Sequence, residues 1–138
     1  MTSTGTDLRT PLGRARGLGT AKEGLHHWWA QRLTAVALVP LTLWFVCSVI
    51  SLARLSADLD GPGYLNFLDW LASPLHATAL VLFIVVGVHH AALGAQVVIE
   101  DYVAGHGARL VSVMLARFFC YGVGALALVS ATIVILGG

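Results

Sequence analysis

Three apolar stretches, each long enough to cross a lipid bilayer, constrain this chain of 138 residues more than any other feature. They run over about 33–53, 74–99 and 110–136, and a transmembrane helix needs about 20 such residues. Only 11% of the residues are charged, whereas soluble domains carry about 25%. The sequence therefore predicts an all-α integral membrane protein with three transmembrane helices.

The residues outside these stretches define the expected domain organisation. Residues 1–23 contain no apolar segment of the kind that a secretory signal needs, so we expect a flexible polar tail there and an anchor domain over 24–138. The segment YLNFLDWLA (64–72) has apolar residues at helical spacing. Because it is too short to span, we expect this segment to lie along the membrane interface.

The basic residues predict how the chain is oriented. Seven lie in the tail, at the entry to the first span, or around the connection between the second and third spans: Arg9, Arg14, Arg16, Lys22, Arg32, Arg109 and Arg117. The connection between the first two spans holds only Arg54. Since Lys and Arg concentrate on the cytoplasmic side, we expect a cytoplasmic N-terminus and a periplasmic C-terminus. A bacterial inner membrane is favoured over the mitochondrial inner membrane.

The second span carries ionisable residues in the segment VHHAALGAQVVIEDY (88–102). At 3.6 residues per turn, His90, Gly94 and Asp101 fall on nearly one face, and Asp101 lies about 16 Å along the axis from His90. An ionisable residue inside the membrane is a functional candidate by default. Gly94, one turn from His90, leaves bare helix surface on which a planar group such as haem has room beside a nitrogen ligand.

Structural alternatives remain open for these residues. His90 also fits a histidine that simply hydrogen-bonds a neighbouring helix, and the pair Asp101 and Tyr102 also fits a helix end that reaches the headgroup layer. His89 points about 100° away from His90, so both cannot ligate one iron. At the entry to the first span, Arg32 fits either a snorkelling anchor or a cation that pairs with an anionic group.

Composition narrows the function classes further. The net charge of +1 gives no reason to expect a nucleic-acid partner. The two cysteines, Cys47 and Cys120, form neither a disulfide framework nor a metal-binding spacing. Three spans enclose little interior, and small residues on the second span would let a neighbouring helix approach closely. We therefore expect a partner membrane subunit.

Two segments resemble a known family. The string HAALGAQVVIEDY (90–102) resembles the H-x3-G-x2-Q-x4-DY segment of the small hydrophobic anchor subunit of succinate dehydrogenase, the D-type subunit of succinate:quinone oxidoreductase. The string GLHHWWAQRLTAVAL (24–38) resembles the entry to the first helix in the same family. Three spans and a chain of about this length are also similar to that family.

The resemblance implies site residues. His90 matches the axial ligand of one haem b, which is shared with a second hydrophobic anchor subunit, the C-type cytochrome b subunit. Tyr102 matches the phenol that hydrogen-bonds a ubiquinone carbonyl, and Asp101 matches the acid beside it. Arg32 and His26 match residues near the haem propionates and the quinone pocket.

The chain departs from the family at one of these positions. Some relatives carry an acid directly after the position of His26, whereas this chain has His27. Because His27 replaces that acid, the route by which protons move near His26 stays open. His89 likewise keeps the haem count open.

The resemblance also implies an electron path and its partners. A flavoprotein subunit would oxidise succinate, an iron–sulfur subunit would relay the electrons, and this chain would help to deliver them to ubiquinone. We expect no catalysis by the chain alone. Two alternatives remain: an anchor of a related quinol:fumarate reductase, and a haem-free structural anchor. A transport protein is disfavoured because the first and third spans carry few polar residues.

Overall fold

The computed structural model describes residues 21–58 and 63–137, and within them the backbone is helical with no strand. The elements are α1 (Ala21–Asp58), α2 (Gly63–Ala72), α3 (Pro74–Tyr102) and α4 (His106–Gly137). The predicted all-α class is thus confirmed. Most of the predicted polar tail, 1–23, lies outside the described residues.

Three of these helices are long and apolar enough to cross a membrane: Gly24–Ala57, Pro74–Tyr102 and His106–Gly137. The prediction of three spans is confirmed. Each helix extends beyond the apolar stretch that predicted it, because adding a residue to an existing helix is much easier than nucleating a new one. The side on which each terminus lies remains a prediction.

The long helices run antiparallel to their neighbours. The rings of Phe45 in α1 and Phe83 in α3 stack with centroids 4.9 Å apart, and Thr34 meets His90 nearer the other end of the same pair. Between α3 and α4, His89 meets Tyr121 and Gln96 meets Arg117. The N-terminal part of α1, the C-terminal part of α3 and the N-terminal part of α4 therefore lie at one end of the molecule.

The helix α3 is the middle member of this arrangement. It packs against both α1 and α4, whereas α1 and α4 do not pack against each other over their described lengths. The three spans thus form a layer in which few described apolar residues are buried, namely Ala92 and Leu93 of α3. The short helix α2 adds Leu71. Large apolar side chains cover the outer faces, as expected where lipid or another membrane subunit covers them.

The short helix α2 closes the far end of the layer. Its Trp70 stacks on Trp44 of α1 at 5.7 Å and on His76 of α3 at 5.0 Å. Leu71 of the same helix is 2% exposed. Pro74 then begins α3, and its missing N–H has no effect there because the first N–H groups of a helix have no intrahelical partner. The short helix predicted over 64–72 is confirmed, and its position at a membrane interface remains a prediction.

Candidate functional site

The adjacent histidines of α3 face different helices. His90 Nδ1 lies 2.9 Å from Thr34 Oγ1 in α1, and His89 Nδ1 lies 3.2 Å from the hydroxyl oxygen of Tyr121 in α4. This separation follows from the rotation of about 100° between consecutive helical residues, combined with the position of α3 between its two neighbours. Each ring therefore has a polar partner through one of its two nitrogens.

The contact of His90 leaves its other ring nitrogen available. The ring is half-buried, and its described hydrogen bond uses Nδ1. Nε2 has no hydrogen-bond partner among the described residues, and it is not fully enclosed. A neutral imidazole with one engaged nitrogen can bind a metal ion through the other.

The helix surface beside His90 is bare. A Cβ built on Gly94 would meet no described atom within 4 Å. The neighbouring positions on the buried side of the helix, Ala92 and Leu93, are enclosed by protein. The surface at Gly94 is therefore not covered by the described part of the chain, and its role beside a flat group stays a prediction.

Asp101 and Tyr102 form the end of α3. Tyr102 is 84% exposed and Asp101 is also exposed. The helix stops at Val103, whose N–H still donates to the carbonyl oxygen of Ile99. Asp101 lies about 16 Å along the axis from His90. The structure brings neither residue into contact with the other candidate site residues, so any pocket around them must be completed from outside the described part of the chain.

Arg32 and His26 lie at the same end of the layer, because α1 and α3 are antiparallel. Arg32 is about 3 Å, and His26 about 12 Å, along the axis from Thr34. The Arg32 guanidinium carbon lies 4.5 Å from the ring centroid of Trp28, a cation–π contact on the exposed surface. Arg32 is turned about 200° from Thr34, so it does not face His90.

The structure adds two residues that sequence reasoning did not assign to the site. Thr34 contacts His90 directly. His27 lies two turns before Thr34, and its Nε2 is buried without a hydrogen-bond partner among the described residues. Their spacing of seven residues places both on one face of a helix, but no sequence signal marks Thr34 as the partner of His90. An unpaired buried nitrogen costs about 1–3 kcal/mol, so His27 needs a partner from outside the described residues.

The side of α3 that faces α4 is closed by close packing and hydrogen bonds. A Cβ on Gly124 would lie 2.8 Å from Val88 Cγ2, so α4 can approach this closely only with glycine there. Nearer the C-terminal end of α3, the Arg117 guanidinium donates to Gln96 Oε1. The Gln96 amide nitrogen in turn donates to Glu100 Oε1 at 2.6 Å. These contacts join the second and third spans.

Within the described residues, no group of three or more His, Cys, Asp or Glu side chains is placed to hold a metal ion. A metal bound at His90 would therefore need its other ligands from elsewhere. Haem supplies four of the six iron ligands itself, and only axial positions remain for protein side chains. A single suitably placed histidine, together with one from a partner, is sufficient for that type of site.

The family model described as succinate dehydrogenase/fumarate reductase transmembrane subunit matches residues 6–134. The chain belongs to this family. No solved structure matches the chain.

Individual relatives agree with the family model. A succinate dehydrogenase hydrophobic membrane anchor subunit of Rickettsia bellii is 34% identical over 114 residues, which cover 82% of this chain and 85% of that protein. The subunit with the same name in Paracoccus denitrificans is 34% identical over 114 residues, covering 83% and 82%. A succinate dehydrogenase membrane anchor subunit of Reclinomonas americana is 34% identical over 98 residues, covering 70% and 77%. The similarity thus extends over most of each protein.

Proposed function

We propose that this chain is a membrane anchor subunit of succinate dehydrogenase that, with a second hydrophobic anchor subunit, binds haem b and forms the site of ubiquinone reduction. The observation that supports this most directly is His90, a half-buried imidazole with Nε2 free of described partners. It stands one turn from the bare surface at Gly94. Membership of the succinate dehydrogenase/fumarate reductase transmembrane family supports a role for this histidine in binding haem.

The residues around His90 fit a haem group. Nε2 of His90 would bind the iron, and the surface at Gly94 would lie against the ring. Arg32 faces away from His90, so its geometry gives no support to the propionate role that the resemblance implies. The second axial ligand would come from the partner anchor subunit. When bound, haem supplies a one-electron carrier whose potential the protein sets through ligands and burial. With protein ligands on both sides, such a haem would transfer electrons rather than bind oxygen.

The end of α3 fits a quinone headgroup. Reduction of a quinone to a quinol takes two electrons and two protons. The exposed phenol of Tyr102 would donate a hydrogen bond to a carbonyl oxygen of ubiquinone, and the Asp101 carboxylate beside it would connect that oxygen to water. His26, at the same end of α1, would line the pocket. The iron–sulfur subunit would deliver electrons at this end, which we assign to the cytoplasmic face of a bacterial inner membrane.

Succinate oxidation is favoured over fumarate reduction. The family description includes both enzymes, and the same anchor can serve either direction. The similar curated proteins are named as succinate dehydrogenase subunits. These names favour assembly of this chain into a succinate dehydrogenase, with its flavoprotein and iron–sulfur subunits. A haem-free structural anchor remains the second candidate, and it predicts that His90 is dispensable.

Replacement of His90 by alanine tests the haem site. We expect His90→Ala to abolish or alter the b-type absorption in a reduced-minus-oxidised spectrum of the purified complex. His89→Ala is the matched control, because the adjacent ring contacts Tyr121 instead, and we expect a wild-type spectrum from it. An unchanged spectrum in the His90 variant, or an equal change in both variants, would remove His90 as the ligand.

Replacement of Tyr102 by phenylalanine tests the quinone site. We expect Tyr102→Phe to lower ubiquinone reductase activity, because it removes the hydrogen-bond donor to the quinone carbonyl, without affecting succinate oxidation with an artificial acceptor. Tyr121→Phe is the matched control and should leave both activities intact. Equal loss of both activities in Tyr102→Phe would indicate defective assembly and would contradict a role at the quinone.

A further inference from the structure

We infer that Thr34 is a positioning residue for haem binding: its hydroxyl oxygen accepts a hydrogen bond from His90 Nδ1–H and so directs Nε2 toward the iron. This inference rests on the proposed function, since it presupposes that His90 is the axial ligand. It goes further by identifying a residue of another helix, 56 positions away in sequence, that orients the ligand.

The direction of the hydrogen bond follows from the other contacts of Thr34. A threonine hydroxyl has one hydrogen to donate. Thr34 Oγ1 lies 2.8 Å from the carbonyl oxygen of Ala30 and 3.0 Å from that of Gln31, and both carbonyls can only accept. The hydroxyl hydrogen is therefore directed at the backbone of α1. Thr34 Oγ1 is left to accept from His90 Nδ1 at 2.9 Å.

This assignment determines the tautomer of His90. With its proton on Nδ1, the neutral ring keeps the lone pair on Nε2, and only that nitrogen can bind iron. The alternative, in which the hydroxyl donates to Nδ1, would leave Oγ1 only 2.8 Å from the Ala30 carbonyl oxygen with no hydrogen between them. Two oxygen lone pairs at that distance repel each other, so the first arrangement is favoured.

The hydrogen bond also affects the strength of the ligand. A partner on the second ring nitrogen fixes the orientation of the imidazole and increases its basicity, and loss of such a partner typically weakens metal binding by about 10–100-fold. A more basic axial ligand stabilises ferric over ferrous iron. Removal of the Thr34 hydroxyl should therefore raise the haem midpoint potential as well as the rate of haem loss.

The test compares Thr34→Val with Thr34→Ser in the isolated complex. Valine keeps the shape of the side chain but removes the acceptor, whereas serine keeps the hydroxyl. Thr132→Val is the matched control, because the Thr132 hydroxyl likewise donates to a carbonyl one turn earlier, that of Leu128 at 2.8 Å, and no histidine contact accompanies it. The readouts are the rate of haem transfer to an excess of apomyoglobin and the midpoint potential from a spectroscopic redox titration.

We expect Thr34→Val to speed haem loss by about tenfold or more and to raise the midpoint potential, with both values near wild type in Thr34→Ser and Thr132→Val. If Thr34→Val prevents assembly, Thr34→Ala, which adds no bulk, takes its place in the same comparison. Wild-type values in Thr34→Val, or equal effects of serine and valine, would overturn the inference. Absence of haem from the wild-type complex would instead refute the proposed haem site itself.

Discussion

The two sides of α3 are built differently. Toward α4, the backbone at Gly124 lies so close that a Cβ there would be 2.8 Å from Val88. Hydrogen bonds also join His89 to Tyr121 and the Arg117 guanidinium, as donor, to Gln96 Oε1. On the side of His90, the surface at Gly94 meets no described atom within 4 Å. Each side involves a histidine of α3 and a glycine, Gly94 of α3 on one side and Gly124 of α4 on the other. The residue types alone therefore do not distinguish a packing surface from a binding surface.

The difference extends to the histidine partners. Thr34 can only accept from His90, because backbone carbonyls take its hydroxyl hydrogen. The Tyr121 phenol can donate to His89 or accept from it. The His89 ring can therefore adopt either tautomer. A ligand needs one fixed tautomer, whereas a packing contact is equally stable with either. The contrast fits a structural contact between spans for His89 and supports the proposed ligand role of His90.

Alanine at the two glycines should give the largest difference between the sides. Gly124→Ala places a Cβ within 3.0 Å of both Val88 methyl groups, and such overpacking costs about 1–3 kcal/mol of stability. Gly94→Ala should cost no packing between the spans, because its Cβ meets no described atom, but that Cβ would stand against the proposed haem ring and should lower the haem content. Thermal unfolding of the solubilised complex measures the stability of both variants, and the visible spectrum measures their haem content. The double variant Gly124→Ala with Val88→Ala should recover part of the loss, and equal stability of the two single variants would contradict the comparison.

Loss of the tyrosine hydroxyl should give a smaller effect on the closed side. Tyr121→Phe removes the hydrogen bond to His89, and interhelical hydrogen bonds in membrane proteins are worth about 0.6 kcal/mol on average. Thermal unfolding measures this change, with the exposed Tyr102→Phe as a control that should leave stability unaltered. A change in the haem spectrum of Tyr121→Phe would show that His89 has more than a packing role.

Much of the fold could be predicted because the bilayer imposes it locally. Apolar length alone predicts three helices, since backbone polar groups in lipid must be satisfied within each segment. The helical period likewise places His90, Gly94 and Asp101 on one face before any coordinates are known. The short helix over 64–72 was predictable from its spacing and its length.

The contacts of Thr34 and His27 could not be predicted from the sequence. In the sequence, Thr34 and Thr42 are equivalent threonines of the same apolar helix. The structure distinguishes them, because Thr34 contacts His90. In the sequence, His27 is one of several polar residues at the entry to a helix. The structure singles it out, because its Nε2 is buried without a hydrogen-bond partner among the described residues. Both observations depend on how far α1 is rotated and shifted relative to α3.

The sequence by itself determined that this chain spans a membrane three times, that His90, Gly94 and Asp101 share one stripe of its second span, and that Tyr102 directly follows the acid. These properties follow from hydropathy and helical period, which are local. Only the tertiary structure decided that His90 faces Thr34, that His89 faces Tyr121, and that the surface at Gly94 stays uncovered by the described residues while Gly124 packs closely against Val88. Those contacts join residues 32 to 56 positions apart, and the packing of the helices against one another sets them.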